Sequence, residues 1–246
     1  MTSPAPTPTT SARHFRRPVL NRILWVGAIL LVAVLSLRIP VPAYVLVPGP
    51  VFPLADAVMI EGASPIDGDY LFLTVQLDDA RVVDTFTAAF DSDAQIVSRA
   101  SVLGDESEEE FIARQVGLFD AAEIEAIQLG LALADSNLAT DDVVIDTEGV
   151  GGPSAGLLTS LAVADLASPL NVAAGRIIAG TGTVAADGTV GPVSSVQDKM
   201  RAAEDAGAEV FLIPAGLEGQ VSSASTTMTL IPVSSVQEAF EALTTG

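Results

Sequence analysis

The chain contains no cysteine, one lysine and one histidine among its 246 residues. Without cysteine it forms neither disulfides nor thiolate metal sites, and no thiolate nucleophile is available. His14 lies in a basic N-terminal segment ahead of an apolar run, so a Ser-His-Asp triad is excluded from the rest of the chain. Covalent hydrolysis would therefore need a serine to attack, and Lys199 is the obvious residue to accept its proton. A genomic preference for arginine over lysine also explains why the chain has one lysine beside ten arginines.

Positive charge is concentrated at the N-terminus. Residues 1–38 hold five arginines and no acid, which leaves six basic and 31 acidic residues in the remainder. Such an acidic surface repels phosphate, so a direct role on DNA or RNA is not expected. The length and the 49% of apolar residues fit one sizeable globular domain plus extensions.

Residues 23–37 form an uncharged apolar run between Arg22 and Arg38. With flanking residues that snorkel, residues 19–38 are long enough to predict a single transmembrane anchor. The arginines before the run predict that residues 1–18 are a disordered cytoplasmic tail and that the chain from residue 39 lies outside the cytoplasm. A cleaved signal peptide is the alternative, but no small-x-small cleavage site follows the run.

The remainder divides into an N-terminal part, residues 39–140, and a core, residues 141–246. In the first part we predict an extended connector or edge strand over residues 40–53, a buried strand over 70–75 and a helix over 105–134. The acids at 106–110 indicate a solvated helix face rather than a metal site, because no histidine accompanies them. In the core we predict strands at residues 143–145, 177–179 and 210–213, a helix at residues 157–167 and a hairpin turn at residues 186–188. This alternation indicates an α/β or layered α+β fold.

The string Pro-Val-Ser-Ser-Val-Gln occurs at residues 192–197 and again at 232–237. In each copy the second serine is followed three residues later by an acid, which predicts two helices that begin with capping boxes at Ser195 and Ser235. The residues that follow diverge, so the string is a reused helix start rather than a repeat unit.

Ser154 lies in a Gly-x-Ser-x-Gly pattern between a predicted strand and a predicted helix. The pattern alone is weak, because glycine and proline around a serine also form ordinary turns. Its position between a strand and a helix favours a catalytic role, since amides at the start of the following helix would be placed to receive an oxyanion.

Lys199 falls in the first turn of the helix capped by Ser195, where the positive end of the helix dipole disfavours an ammonium. A lysine acts as a base only when neutral, so its pKa must fall from about 10.4. Asp198 favours the charged form, and the base hypothesis therefore requires its side chain to point outward. The alternative is a solvated surface lysine.

The segment from residue 149 to residue 214 resembles the proteolytic domain of the Lon protease family. The matching elements are the Gly-Pro-Ser-Ala-Gly loop, the Thr-Gly segment at 181–182 with its glycine hairpin, and an alanine-rich helix opened by a lysine. The resemblance implies that Ser154 is the nucleophile, Lys199 the general base and Thr181 a hydroxyl that orients the lysine. It also implies an oxyanion loop formed by Gly152, Pro153, Ala155 and Gly156.

The N-terminal anchor and the Val-x-x-Pro-Gly stretch at 45–49 resemble the membrane-anchored bacterial Lon-like proteases. Two features depart from that group. Only residues 135–142 separate the long helix from the next strand, so the usual PDZ insertion is absent, and Ser194 and Ser195 stand where paired glycines are usual. No Walker A motif is found either, so the activity implied is independent of ATP.

The sequence thus predicts a membrane-anchored serine endopeptidase with a Ser-Lys dyad, acting on flexible or unfolded protein segments without a metal or cofactor. A homo-oligomer is left open. One rival is a catalytically silent Lon-like scaffold or adaptor for membrane or exported proteins. A second rival is a hydrolase with a carboxylate base, for which the acidic surface offers candidates but no motif.

Overall fold

A computed structural model describes residues 16–88, 95–146, 153–221 and 226–245. In these residues the helices are α1 (Arg16–Ser36), α2 (Leu54–Ala57), α3 (Val82–Ala88), α4 (Arg99–Leu103), α5 (Glu108–Leu133), α6 (Gly156–Ala167), α7 (Val196–Asp205), α8 (Glu218–Val221) and α9 (Val236–Thr245). The strands are β1 (Pro40–Pro53), β2 (Val58–Ile60), β3 (Asp69–Arg81), β4 (Gln95–Ser98), β5 (Val143–Ile145), β6 (Ile177–Gly180), β7 (Thr183–Val184), β8 (Val190–Gly191), β9 (Val210–Pro214) and β10 (Thr229–Val233). Single 3-10 turns cover Thr140–Asp142 and Pro153–Ala155.

Six strands form the main sheet, in the order β10-β9-β6-β3-β1-β4. β10, β9, β6 and β3 are parallel, whereas β1 is antiparallel to both β3 and β4. Because parallel strands end at the same edge of a sheet, the loops that follow β6 and β9 lie close together. The mixed α/β architecture predicted from the sequence is confirmed.

Helices cover both faces of this sheet, as the alternation along β3 shows. Tyr70 and Phe72 pack on one face in a core shared with α5, α6 and α9, whereas Leu71 and Leu73 pack on the other face with α7. Successive side chains of a strand point to opposite faces, so the continuous apolar run at residues 70–73 is that of a strand buried on both sides.

Helix α6 lies at the centre of the first core. Ten consecutive residues, from Gly156 to Asp165, are buried, because the helix is enclosed by the sheet, α5 and α9. α5 approaches α6 very closely at Gly130, where a Cβ atom would lie 2.5 Å from the carbonyl oxygen of Ser160. This packing fixes the start of α6, and with it the Ser154 turn.

The predicted strands and helices of both parts are found in the structure. Their ends differ by no more than three residues, except that β3 continues from the predicted end at residue 75 to Arg81. The extended segment at residues 40–53 is also a strand, but its assignment as an edge is wrong. β1 lies between β3 and β4, and it pairs with β4 from Ala43 to Leu46. Proline is tolerated here because each proline lies outside that stretch.

Helix α1 occupies most of the segment predicted as an anchor. Its apolar side chains from Ile23 to Leu35 are exposed, among them Ile23 at 63% and Trp25 at 70%. No helix in the described part of the chain is both long and apolar enough to cross a membrane. The anchor stays a prediction, and the first 15 residues of the predicted tail lie outside the described residues.

Candidate functional site

Ser154 and Lys199, 45 residues apart in sequence, meet at the C-terminal end of β6. The Nζ atom of Lys199 lies 2.9 Å from Oγ of Ser154 and 3.0 Å from Oγ1 of Thr181. Thr181 follows β6 directly, Ser154 precedes α6, and Lys199 belongs to α7. Two helices from opposite faces of the sheet thus bring one hydroxyl and one amine together at its edge.

The Ser154 turn is held against the chain that leaves β6. The carbonyl oxygen of Ser154 accepts hydrogen bonds from the Gly182 amide at 3.0 Å and from the Thr181 hydroxyl at 3.3 Å. In return, the Leu157 amide donates to the Gly182 carbonyl oxygen at 3.1 Å. Gly156 allows this contact, because a Cβ atom there would lie 2.7 Å from Cγ2 of Val184. These bonds fix the backbone on both sides of the Ser154 side chain.

Lys199 lies in the first turn of α7, as predicted, and its amide donates to the Ser195 carbonyl oxygen at 3.1 Å. The residue is only 3% exposed, so the alternative of a solvated surface lysine is wrong. Burial lowers the pKa of Lys199 to about 8, because an ammonium loses its hydration there. A substantial fraction of this lysine is therefore neutral in mildly alkaline solution.

Two local expectations about α7 are wrong. Asp198 does not point into solvent, since it is 4% exposed. Burial nevertheless lowers the pKa of Lys199, so an outward-pointing Asp198 is not a requirement for a lysine base. Ser195 does not cap the helix through its side chain, since its backbone is left-handed, with φ 55° and ψ 36°. The Ser195 hydroxyl is buried and has no hydrogen-bond partner among the described residues. The capping box therefore fails at residue 195, because the left-handed turn points the hydroxyl away from the amides it would have capped.

The second capping site behaves largely as predicted. Ser235 Oγ accepts a hydrogen bond from the Glu238 amide at 3.1 Å. The Glu238 carboxylate, however, accepts from the Ser234 amide rather than from the Ser235 amide. This serine therefore caps α9 in the ordinary way.

An apolar cleft of about 490 Å³ opens beside the Ser154–Lys199 pair. Strands β1 and β3 line one side, and the first half of α5 lines the other. Ile112 and Val116 of α5 are 60% and 43% exposed, so two large apolar side chains border the cleft at the protein surface. The apolar lining consists of Leu46, Val75, Leu77, Phe111, Ile112, Val116, Pro153, Pro192 and Val193. A pair of polar reacting groups next to an apolar cleft is a common design of ligand and substrate sites.

The structure brings together most of the residues that the sequence predicted for the site. Pro153 and Ala155 form the 3-10 turn around Ser154, and Gly156 begins α6. Gly152 lies outside the described residues. The cleft side chains from β1, β3 and α5 were missed, because their contribution depends on tertiary packing and no local motif marks them.

Residues 145–245 match the family model of the Lon protease (S16) C-terminal proteolytic domain. This part of the chain is a Lon-like protease domain. No curated protein matches the chain. The Lon-like domain contains Ser154, Thr181 and Lys199, whereas most of the apolar residues that line the cleft precede the matched segment. The match supports serine protease activity, and it confirms the family resemblance found in the sequence.

Proposed function

We propose that this protein is an ATP-independent serine endopeptidase in which Ser154 and Lys199 act as a catalytic dyad. The observation that carries the proposal is the 2.9 Å separation of Lys199 Nζ and Ser154 Oγ. This distance is within reach for direct proton transfer. The depressed pKa of the buried lysine supports the same assignment, since a base must be neutral to accept a proton.

In this mechanism the lone pair of neutral Lys199 accepts the Ser154 hydroxyl proton as Oγ attacks the scissile carbonyl carbon. The resulting ammonium then gives that proton to the leaving amine, and an acyl ester remains on Ser154. Water attacks the ester in the second half-reaction, again with Lys199 as base, and frees the carboxylate product. Thr181 accepts a hydrogen bond from Nζ and donates one to the Ser154 carbonyl oxygen, so it orients the lone pair toward Oγ.

The oxyanion would be received by backbone amides at the start of α6. Donors of this kind act where negative charge develops, and the helix dipole adds to their effect. The Leu157 amide is committed to the Gly182 carbonyl oxygen. The amides that precede it in the turn, from Ser154 to Gly156, are therefore the candidate donors.

We propose further that the N-terminal segment attaches the protein to a membrane and that the protease domain lies outside the cytoplasm. The uncharged run at residues 23–37 and the arginines before it support this orientation. The exposed apolar side chains of α1 also support attachment to an apolar surface. Separation of expressing cells into membrane and soluble fractions tests the attachment, and recovery in the soluble fraction would contradict it.

The catalytic proposal is tested by incubating the full chain with an unfolded protein, β-casein, without ATP. We expect fragments from the wild type and none from Ser154→Ala, with Ser234→Ala as an exposed serine control that keeps activity. An inactive, folded wild type would instead favour the silent scaffold. Activity that survives Ser154→Ala would contradict the assignment of Ser154 as the nucleophile.

A further inference from the structure

The first half of α5, residues 108–118, has little apolar packing of its own. The buried residues of this helix begin at Phe119 and continue to Leu131. Within residues 108–118, Phe111 and Gln115 are half-buried and the others are exposed, and neither of the two apolar cores includes any of them. This segment, the free half of α5, is therefore not fixed to the sheet by a core.

The free half of α5 nevertheless forms one wall of the cleft beside Ser154. Ile112 and Val116 line that cleft on the helix side. A second cavity, of about 790 Å³, continues from the cleft past Ile112 and Leu77, which line both, and it lies between the start of α5 and the strands β1 and β3. Because open space borders the helix here, the width of the cleft depends on what holds the start of α5.

Four side chains from different elements meet at that start and form the Arg99 cluster. Nη1 of Arg99 lies 2.7 Å from Oε1 of Glu108, the first residue of α5, and Nη2 of the same guanidinium pairs with the Asp79 carboxylate of β3. The guanidinium also lies over the Tyr44 ring of β1, 4.9 Å from its centre. The Tyr44 hydroxyl donates to Oε1 of Glu108 at 2.7 Å. One guanidinium thus joins the two walls of the second cavity.

The Arg99 cluster is the polar link between the free half of α5 and the sheet. In the described parts of the chain, the other side-chain hydrogen bonds and ion pairs of this segment stay within residues 106–114. Arg99 itself is tied to the sheet, because it directly follows β4, whose pairing with β1 extends to Ser98. A planar guanidinium offers separate nitrogens to two carboxylates, so arginine suits this bridging position better than lysine.

We propose that Arg99 is a positioning residue, which holds the free half of α5 over the sheet and so sets the width of the cleft that receives the substrate. This inference rests on the proposed protease function and gives a role to a residue that precedes the Lon-like domain. The ion pairs of Arg99 are partly exposed, so salt screens them and they open readily. When the cluster is closed, Ile112 and Val116 are held against the substrate, and when it opens this wall moves away.

Cleavage of fluorescein-labelled β-casein by the full chain tests the role in substrate binding. For Arg99→Gln we expect the apparent KM to rise at least fivefold while kcat stays within twofold, because other contacts hold the Ser154–Lys199 pair. Arg99→Lys keeps the charge and should give an intermediate KM. Arg114→Gln is the matched control, since it breaks an ion pair of α5 that does not reach the sheet, and it should change neither constant more than twofold. A fall in kcat alone, or equal effects of Arg99→Gln and Arg114→Gln, would contradict the proposal.

A second measurement follows the helix itself and needs no activity. The chain has no cysteine, so spin labels attach only at Glu109→Cys on the free half of α5 and at Gln76→Cys on β3. Pulsed electron paramagnetic resonance on this full chain should show a distribution of label distances that broadens toward longer values in Arg99→Gln and at high salt, but not in Arg114→Gln. An unchanged distribution in Arg99→Gln would overturn the proposal. A broadened distribution together with an inactive wild type would show that the catalytic proposal fails and that Arg99 still positions α5.

Discussion

Helices α7 and α9 begin with the same six residues, yet they start in different ways and serve different purposes. In α9, Ser235 caps the first turn and the fourth helical residue is Ala239, which is fully buried in the apolar core. In α7, Ser195 is left-handed and the fourth residue is Lys199, also buried. An identical local sequence thus gives an ordinary structural helix in one place. In the other it places a buried amine 2.9 Å from a serine hydroxyl.

The left-handed start is unfavourable for a residue with a side chain, by about 1 kcal/mol. Burial of an amine that prefers to be charged is also unfavourable, which the lowered pKa of Lys199 expresses. Neither feature occurs in α9. The placement of Lys199 at Ser154 is therefore accompanied by two features that lower the stability of the fold.

The largest effect is expected when the fourth residue of α7 becomes the alanine found in α9. Lys199→Ala removes the base, and we expect cleavage of β-casein to fall by about 10³-fold or more. In the wild type, activity should rise with pH through about 8, because the neutral lysine is then the major form. Gln237→Ala, an exposed change in α9, is the control and should retain full activity. Cleavage by Lys199→Ala at a wild-type rate would contradict the dyad.

How far the sequence predicts this site depends on how local each feature is. Ser154 and Lys199 are predictable because the chain offers few other bases and because the segments around both residues resemble the Lon proteolytic domain. The left-handed turn at Ser195 could not be predicted, since the same six residues form an ordinary cap at Ser235.

The prolines of β1 illustrate the same limit. They suggested an edge strand, because proline cannot donate to a ladder. In the structure Pro40, Pro48 and Pro53 lie opposite Arg81, Val75 and Leu71 of β3, and β4 pairs with a stretch that contains none of these prolines. Only the register of the sheet, which no local pattern reveals, explains how a proline-rich strand lies inside it.

The second effect concerns stability. Lys199→Met keeps the length of the side chain and removes the amine, so the unfavourable burial of the ammonium disappears. The lysine pKa is about 8 when folded and about 10.4 when unfolded, which makes the variant more stable at pH 7 by up to about 3 kcal/mol.

This difference has a defined pH dependence. Between pH 8 and 10.4 the unfolded wild type binds more protons than the folded wild type, so wild-type stability rises with pH across that window. The extra stability of Lys199→Met over the wild type should therefore vanish near pH 10.4. Urea unfolding at several pH values measures both quantities. A variant that is less stable than the wild type at pH 7 would show that the fold compensates the buried charge.

The third effect is smaller and concerns the orientation of Lys199. Thr181→Val removes the hydroxyl that accepts a hydrogen bond from Nζ, and we expect activity to fall about tenfold. A hydrogen bond to the ammonium favours the charged form, so its loss should also move the midpoint of the pH–activity profile to lower pH. Thr159→Val, a buried change within α6, is the matched control. A fall in activity with an unshifted midpoint in Thr181→Val would indicate a packing defect rather than a role in orienting the lysine.

The smallest effect tests the two helix starts directly, because the same substitution should have opposite signs in the two copies. Ser195→Gly relieves a left-handed backbone and removes a buried hydroxyl that has no partner among the described residues, so it should stabilise the fold by about 1 kcal/mol. Ser235→Gly removes a working cap and should destabilise it by a few tenths of a kcal/mol, and Ser235→Ala by about 1 kcal/mol. Thermal unfolding of the variants measures each shift. If Ser195→Gly were destabilising, the left-handed serine would be making a favourable contact, and its conformation would then support the fold as well as the placement of Lys199.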